Sequence, residues 1–149
     1  HAYHRRQRQM CIRDSWMSKQ IINDYPKELV SPIDWMDEKQ NINDRVRSYL
    51  DVNCGHCHSP TGNANSTGLY LHLDETRDVH LGLYKKPVAT GRGSGGLKYS
   101  IVPGKPDESI LLHRMISLDP GVMMPESGRA LSHTEAVEMV REWILVMED

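Results

Sequence analysis

The sequence predicts a mainly α fold, a small helical domain with a short β element and long loops. Apolar residues recur at helical spacing in three stretches, and segments rich in proline and glycine separate them. At 149 residues, with 38% hydrophobic and 26% charged side chains, the chain has the length of one domain with room for an extension. We expect a non-native or disordered arm over 1–15, a connecting strap over 16–38 and the helical domain over 39–149.

The strap contains apolar residues that Pro26 and Pro32 prevent from joining into one helix. Trp16 and Trp35 are expected to be exposed there and to mark a surface that faces an upstream domain outside this chain. Cys11 lies in the polar arm and is expected to carry no chemistry.

The first helix of the domain is predicted over 43–54. Asn43 can accept a hydrogen bond as its N-cap, because a short polar side chain satisfies the free amides of the first turn. Val46, Tyr49 and Leu50 recur at helical spacing and form its apolar face.

The last helix is predicted to begin at a capping box, Ser132-His133-Thr134-Glu135, and to reach about Met147. We expect its apolar face to pack against Tyr49 and Leu50 of the first helix. The residues of that face expected to meet them are Val140, Trp143 and Ile144.

Between these helices the chain is predicted to be largely irregular. Residues 59–68 read as a loop by composition, and 68–73 as a short strand. Asp107 is expected to cap a third helix over 108–117. A solvated acidic turn is predicted at Asp74, Glu75 and Asp78.

The segment Cys54-Gly55-His56-Cys57-His58 directly follows the first helix and reads C-x-x-C-H. Two thiols at this spacing can add across the two vinyl groups of a haem to form two thioethers. The histidine that follows the second cysteine is then placed to bind the iron. We therefore expect one covalent haem c per chain on Cys54 and Cys57, with His58 as its proximal ligand.

Two other chemistries use closely spaced cysteines. A structural zinc site needs four ligands, and the only further cysteine is the distant Cys11, so scattered histidines would have to complete it. A redox dithiol of the C-G-H-C type usually follows a strand and begins a helix, whereas here the motif follows a helix and runs into Ser59-Pro60-Thr61-Gly62. Both alternatives, and chance, are weaker than the haem interpretation.

The sixth iron ligand is predicted to be Met124. It stands directly before Pro125, which restricts its backbone to extended conformations, and a thioether ligand suits electron transfer. Met123 is the adjacent alternative, while Met115 lies within a predicted helix, where methionine more often fills a core. Histidine ligation or an open site also stays open. The histidines considered are His72, His80 and His113.

The run Gly91-Arg92-Gly93-Ser94-Gly95-Gly96 formally matches a dinucleotide-binding pattern. That pattern needs a strand before it and a helix beginning within it, and an extended run ending in Pro103-Gly104 follows instead. We expect a mobile loop near the haem edge. The candidates for contacts with the haem propionates are Arg92, Lys98 and Tyr99, with solvated surface residues as the alternative.

From about Pro26 onward the chain resembles the C-terminal haem domain of a family of bacterial periplasmic dihaem c-type cytochromes. The matching segments are 47–58, the 91–96 glycine run, 101–111, Met123-Met124-Pro125-Glu126 and Glu142-Trp143-Ile144. The resemblance implies a cytochrome c-like domain with covalent haem c on Cys54 and Cys57, His58 and Met124 as axial ligands, electron transfer and export to the periplasm. Only one C-x-x-C-H is present, so a second haem is expected upstream, and the chain is expected to be a fragment whose signal peptide preceded it.

The predicted function is therefore that of an electron carrier rather than an enzyme, passing single electrons between periplasmic redox partners. The expected partner is a periplasmic redox protein, or an upstream dehydrogenase or cytochrome domain. A haem enzyme or ligand sensor with an open sixth site is one alternative, and a haem-free C-G-H-C thiol-disulfide oxidoreductase is another. A net charge of −2 gives no nucleic-acid footprint, and no apolar run approaches the length of a membrane span.

Overall fold

The computed structural model describes residues 12–24, 32–127 and 129–148. The chain divides into two compact units, one ending at residue 31 and the other beginning at residue 32. In the first unit, residues 12–18 are helical. Trp16 lies in this helix and is 46% exposed, as the sequence predicts. The rest of the predicted arm, over 1–11, lies outside the described residues.

The second unit is mainly helical, which confirms the predicted fold class. Its α-helices are α1 (Ile42–Leu50), α2 (Asp78–Leu81), α3 (Ile110–Ile116) and α4 (Thr134–Leu145). A π-helical turn, Asp51–Gly55, continues α1 directly. Single 3₁₀ turns occupy Asn65–Thr67, Gly91–Ser94 and Pro106–Glu108.

The described part of the chain contains isolated β-bridges in place of strands. Leu83 pairs with Ile101, and Tyr99 with Ser109, both in parallel orientation. The strand predicted over 68–73 is wrong. Within it, the Tyr70 amide donates to the His80 carbonyl (2.7 Å), whereas the Leu71 amide donates to the His58 carbonyl (2.8 Å). Neither bond is followed by a second bond to the same segment, so residues 68–73 form no ladder with either one.

Helix α1 begins one residue before the predicted start, and its cap lies two residues before the predicted cap. The cap is Asn41, whose side chain accepts a hydrogen bond from the Asn43 amide (2.8 Å). Asn43 is therefore not the cap, and its Oδ1 instead accepts from Nε1 of Trp143 (3.1 Å). This bond joins the start of α1 to α4.

The core lies where α1 and α3 each pack against α4. Tyr49 and Leu50 belong to the same buried cluster as Val140, Trp143 and Ile144, so the predicted packing of the first and last helices is confirmed. Removing such apolar side chains from water is the main favourable contribution to folding. The fully buried large side chains are Leu50, Ile101, Leu112, Ile144, Val46 and Val140.

Trp35 contradicts the prediction of an exposed surface residue. It packs against this core, and its ring lies edge-on to Tyr49 (centroids 5.5 Å apart) and to His133 (5.0 Å). The Tyr49 hydroxyl and Nδ1 of His133 are also hydrogen-bonded (3.1 Å). The aromatic rings thus cover one end of the core, because apolar ring faces and edges pack favourably in this geometry.

The caps predicted for the other two helices are wrong. Asp107 lies in the 3₁₀ turn before α3, and its carboxylate accepts from Nη1 of Arg141 on α4 (2.7 Å). The Ser132 hydroxyl donates to the Met115 carbonyl at the end of α3 (3.2 Å) rather than capping α4, which begins at Thr134. In each case a bond to a residue distant in the chain replaces the local capping bond.

Candidate functional site

The C-x-x-C-H segment forms one tight turn at the end of α1. The Cys54 carbonyl accepts from the amides of both Cys57 (3.1 Å) and His58 (2.8 Å). Residues at positions i, i+3 and i+4 of such a turn lie on one side of it. The backbone therefore places both thiols and the imidazole on the same side of the chain.

The loop after the motif folds back onto it, and Gly62 makes this approach feasible. A Cβ atom at Gly62 would stand 2.7 Å from the Cys57 carbonyl carbon and closer still to its oxygen. The Ala64 amide donates to the same Cys57 carbonyl (3.0 Å). Because a side chain would collide with backbone that cannot move aside, the spacing from Cys57 to Gly62 is part of the site.

Residues 72–75 support the other side of the motif turn. The Leu73 amide donates to Asp51 Oδ1 (3.0 Å), and a Cβ atom at Gly55 would stand 3.3 Å from the His72 Cα. Nη2 of the buried Arg47 donates to the carbonyls of His72, Leu73 and Glu75 at 2.8–3.0 Å. These bonds hold the segment against α1 and the turn.

Glu75 is not part of a solvated acidic turn. Its side chain is buried, and its carboxylate accepts from Nε and Nη2 of Arg77 (2.9 and 2.8 Å) and from the backbone amides of Thr76 and Arg77. His80 Nδ1 lies 3.2 Å from the same carboxylate. The Arg77 hydrogen bond is the main reason that the pKa of Glu75 is lowered from its usual range. The sequence alone could not pair these residues, because the acidic composition of the segment favoured a solvated turn.

The two motif cysteines are free thiols, and no disulfide joins them in the part of the chain described. Burial, and secondarily the neighbouring Cys57, raises the pKa of Cys54 to about 12. At neutral pH the Cys54 sulfur is therefore a protonated, partly buried thiol rather than a thiolate.

The His58 imidazole is neutral at neutral pH. Burial is the main cause that lowers its pKa, and the positive charge of Arg114 lowers it further. Its Nδ1 is buried and has no partner in hydrogen-bond geometry among the described residues. The Leu69 backbone lies near enough to the ring to raise its pKa in part. A neutral imidazole keeps a lone pair free to bind a metal.

Met123 and Met124 lie half-buried in the irregular loop that follows α3. The Met124 amide donates to the Arg114 carbonyl (3.0 Å), and the Met123 amide to the Asp119 carbonyl (2.8 Å). The Met124–Pro125 peptide bond is cis. Met115, by contrast, is buried in the core cluster, as its place within a helix predicts.

The histidines considered as alternative ligands lie in different surroundings. His80 is engaged with Glu75, and the His113 ring packs over Gly95, where a Cβ atom would stand 2.6 Å from its Nε2. His72 is the one whose buried Nδ1 has no hydrogen-bond partner within the described residues. The geometry thus keeps His72 open as an alternative and gives the other two histidines local roles.

The residues considered for contacts with the haem propionates are Arg92, Lys98 and Tyr99. Arg92 is exposed and pairs with Asp119 (3.0 Å). The Tyr99 ring lies edge-on to Tyr84 (centroids 5.8 Å apart), and Lys98 lines a cleft beside both of these tyrosines. The glycine run before them forms a 3₁₀ turn, Gly91–Ser94.

No three His, Cys, Asp or Glu side chains within the described ranges form a group that could hold a metal ion. Nor is any helix there both long and apolar enough to cross a membrane. No family profile, curated protein or solved structure matches the chain. The resemblance carried by the sequence motifs therefore stays a prediction.

Proposed function

We propose that residues 32–148 form a c-type cytochrome domain that carries single electrons through one covalent haem. The observation that supports this most directly is the motif turn. Two free thiols and a neutral imidazole stand on one side of a single turn, and the backbone of the following loop fixes that turn. This donor set matches the needs of covalent haem attachment, with two thiols for thioether bonds and one uncharged nitrogen for the iron.

Cys54 and Cys57 would hold the haem covalently and His58 would bind its iron. Met124 would supply the second axial ligand, a thioether that favours Fe(II) and so suits electron transfer. When bound, the haem supplies the reversible one-electron Fe(III)/Fe(II) couple. The protein's part is to keep the imidazole neutral, to hold both ligand-bearing segments in place and to limit the access of water.

A haem-free thiol-disulfide oxidoreductase is less consistent with the electrostatics of the site. The first cysteine of such enzymes reacts as a thiolate, and its pKa is lowered by nearby positive charge or a helix N-terminus. Here the pKa of Cys54 is raised to about 12, and the cysteine follows the C-terminal end of α1. The site therefore disfavours the charged form on which that chemistry depends.

We also propose that the domain acts in the periplasm and exchanges electrons with a periplasmic redox protein or with an upstream dehydrogenase or cytochrome domain. These proposals follow from the chemistry of the motif, since bacteria attach haem to C-x-x-C-H outside the cytoplasm. A haem enzyme or ligand sensor with an open sixth site is the second candidate. The choice between the two candidate functions depends on whether a methionine binds the iron.

The first experiment expresses the chain together with the haem c maturation machinery. We expect haem to remain on the denatured protein in a stained gel, and the native protein to give a low-spin spectrum after reduction. Alanine at both Cys54 and Cys57 should abolish the stain. If the unmodified protein carries no covalent haem, the proposal is overturned, and a reducible disulfide between these cysteines becomes the next measurement.

A matched pair of methionine variants tests the axial ligand. Met124→Ala should remove the weak charge-transfer band that methionine-ligated Fe(III) haem shows, whereas Met123→Ala should retain it. The two residues are adjacent, of the same type and both half-buried, so general effects on the loop should be similar. Loss of the band in Met123→Ala alone would assign that residue instead. A fully occupied complex with carbon monoxide that displaces no methionine would favour the open-site candidate.

A further inference from the structure

The loop with the two methionines is fastened to α3 at two points of one residue, Arg114. Its side chain Nε donates to the Val122 carbonyl (2.8 Å), and its own carbonyl accepts from the Met124 amide (3.0 Å). The two bonds lie on either side of Met123. We propose that Arg114 is the positioning residue of this site: it holds the Met124 segment in place for the iron.

The conformation of Arg114 is fixed by its surroundings. The side chain is half-buried, and a Cβ atom at the buried Gly93 would stand 3.3 Å from its guanidinium carbon. Glycine at position 93 thus lets the guanidinium lie flat against the 3₁₀ turn Gly91–Ser94. A planar group confined in this way donates in a defined direction, so the Val122 carbonyl is held at one place relative to α3.

This inference rests on the proposed function, and the test separates the lost hydrogen bond from the lost charge. In the haem-loaded protein, Arg114→Lys keeps the charge but loses the directed Nε donor, and Arg114→Gln loses both. We expect both variants to bind imidazole at the iron about tenfold more tightly than the unmodified protein, because a less firmly held Met124 is displaced more easily. Because Arg114→Lys keeps the charge, an equal gain in both variants assigns the effect to the lost Nε donor.

Arg141→Gln is the matched control. It removes an arginine of α4 that is paired with Asp107 (2.7 Å) and takes no part in the methionine loop. Imidazole affinity should be unchanged in this variant. Unchanged imidazole affinity in both Arg114 variants would overturn the positioning role, and so would an equal gain in Arg141→Gln.

A haem-independent measurement distinguishes failure of this inference from failure of the proposed function. Amide hydrogen exchange of the purified chain, in whichever haem state it is obtained, reports directly on the Met124 amide. We expect exchange at Met124 to become about tenfold faster in both Arg114 variants and to stay unchanged in Arg141→Gln. Exchange that stays unchanged in the Arg114 variants would show that the loop is fixed by other contacts, whether or not haem is bound.

Discussion

The two segments that contain the proposed iron ligands are built in opposite ways. The motif turn over 54–64 is fixed by its own backbone, through amide–carbonyl bonds to Cys54 and Cys57 and the close approach of Gly62. The loop between α3 and α4 is instead fastened by arginine side chains that bond to carbonyls. One segment is thus locally determined, whereas the other depends on bonds between residues distant in the chain.

Arg129 is the second fastening of the α3–α4 loop. Its guanidinium donates to the carbonyls of Met115 and Ser117 at the C-terminal end of α3, where the Ser132 hydroxyl also donates to Met115. A cation there satisfies carbonyls that have no partner within the helix and interacts favourably with the helix dipole. Together, Arg114 and Arg129 hold the loop at its middle and near its end.

The largest effect is expected at the motif turn. Gly62→Ala should lower the free energy of unfolding by about 3 kcal/mol, because the new methyl group collides with the Cys57 backbone, which has no room to move. Gly91→Ala is the control, because no described atom lies within 4 Å of the position that its Cβ would take. Only the backbone φ of 50° opposes alanine there, and this should lower the free energy of unfolding by about 1 kcal/mol. Denaturant unfolding measures both, and equal losses would contradict the steric explanation.

The second prediction concerns the buried carboxylate behind the motif. Glu75 has a folded-state pKa below its unfolded value of about 4.5. Its contribution to stability is therefore present above pH 4.5 and is lost as the pH falls towards the lower folded value. Glu75→Gln should destabilise the protein at neutral pH and flatten the acid side of its stability curve.

Free energies of unfolding measured from pH 7 down into the acidic range would test this prediction. Asp78→Asn, a change in the same segment at an exposed residue, should leave the slope of the curve as it is in the unmodified protein. An unchanged slope in Glu75→Gln would mean that the carboxylate is not the titrating group.

A smaller effect is expected in the α3–α4 loop. Arg129→Gln should cost about 2 kcal/mol, since several carbonyls at the end of α3 lose their donor. Arg92→Gln removes an exposed ion pair with Asp119 and should cost about 0.5 kcal/mol or less. Hydrogen exchange would localise the difference: faster exchange in Arg129→Gln should be confined to residues 114–132, and a uniform increase would argue against a local fastening.

The smallest loss of stability is expected where α1, which precedes the motif turn, is bonded to the end of the α3–α4 loop. The Tyr49 hydroxyl on α1 bonds to His133, the residue that precedes α4 (3.1 Å). Tyr49→Phe keeps the ring packing with Trp35 and should cost only about 1 kcal/mol. A loss as large as that of Tyr49→Ala, measured by denaturant unfolding, would mean that the hydroxyl matters more than the ring.

The sequence predicts the parts of the molecule that depend on neighbours along the chain. The apolar faces of α1 and α4 are read from helical spacing, and their packing follows. The predicted N-caps are wrong because Asn43, Asp107 and Ser132 each bond to a partner elsewhere in the fold. The exposure predicted for Trp35 is wrong for a similar reason, since its contacts with Tyr49 and His133 join residues far apart in sequence.

The same distinction applies within the candidate site. The side-by-side arrangement of Cys54, Cys57 and His58 is a local property of their spacing. The role of Arg114 is not visible in the sequence, because its partners are carbonyl oxygens, which every residue possesses. The one feature of the sequence that points to this role is an arginine within a short, otherwise largely apolar helix.

The contact between Gly62 and Cys57 has a consequence for protein engineering. A designer who moves only the five-residue motif onto the end of another helix would leave out the returning backbone that encloses Cys57. The smallest portable module is instead the stretch from Cys54 to Ala64, whose final amide donates to the Cys57 carbonyl. Grafts of that longer stretch should reproduce the turn on a foreign helix, whereas grafts of the motif alone should adopt whatever shape the host loop imposes.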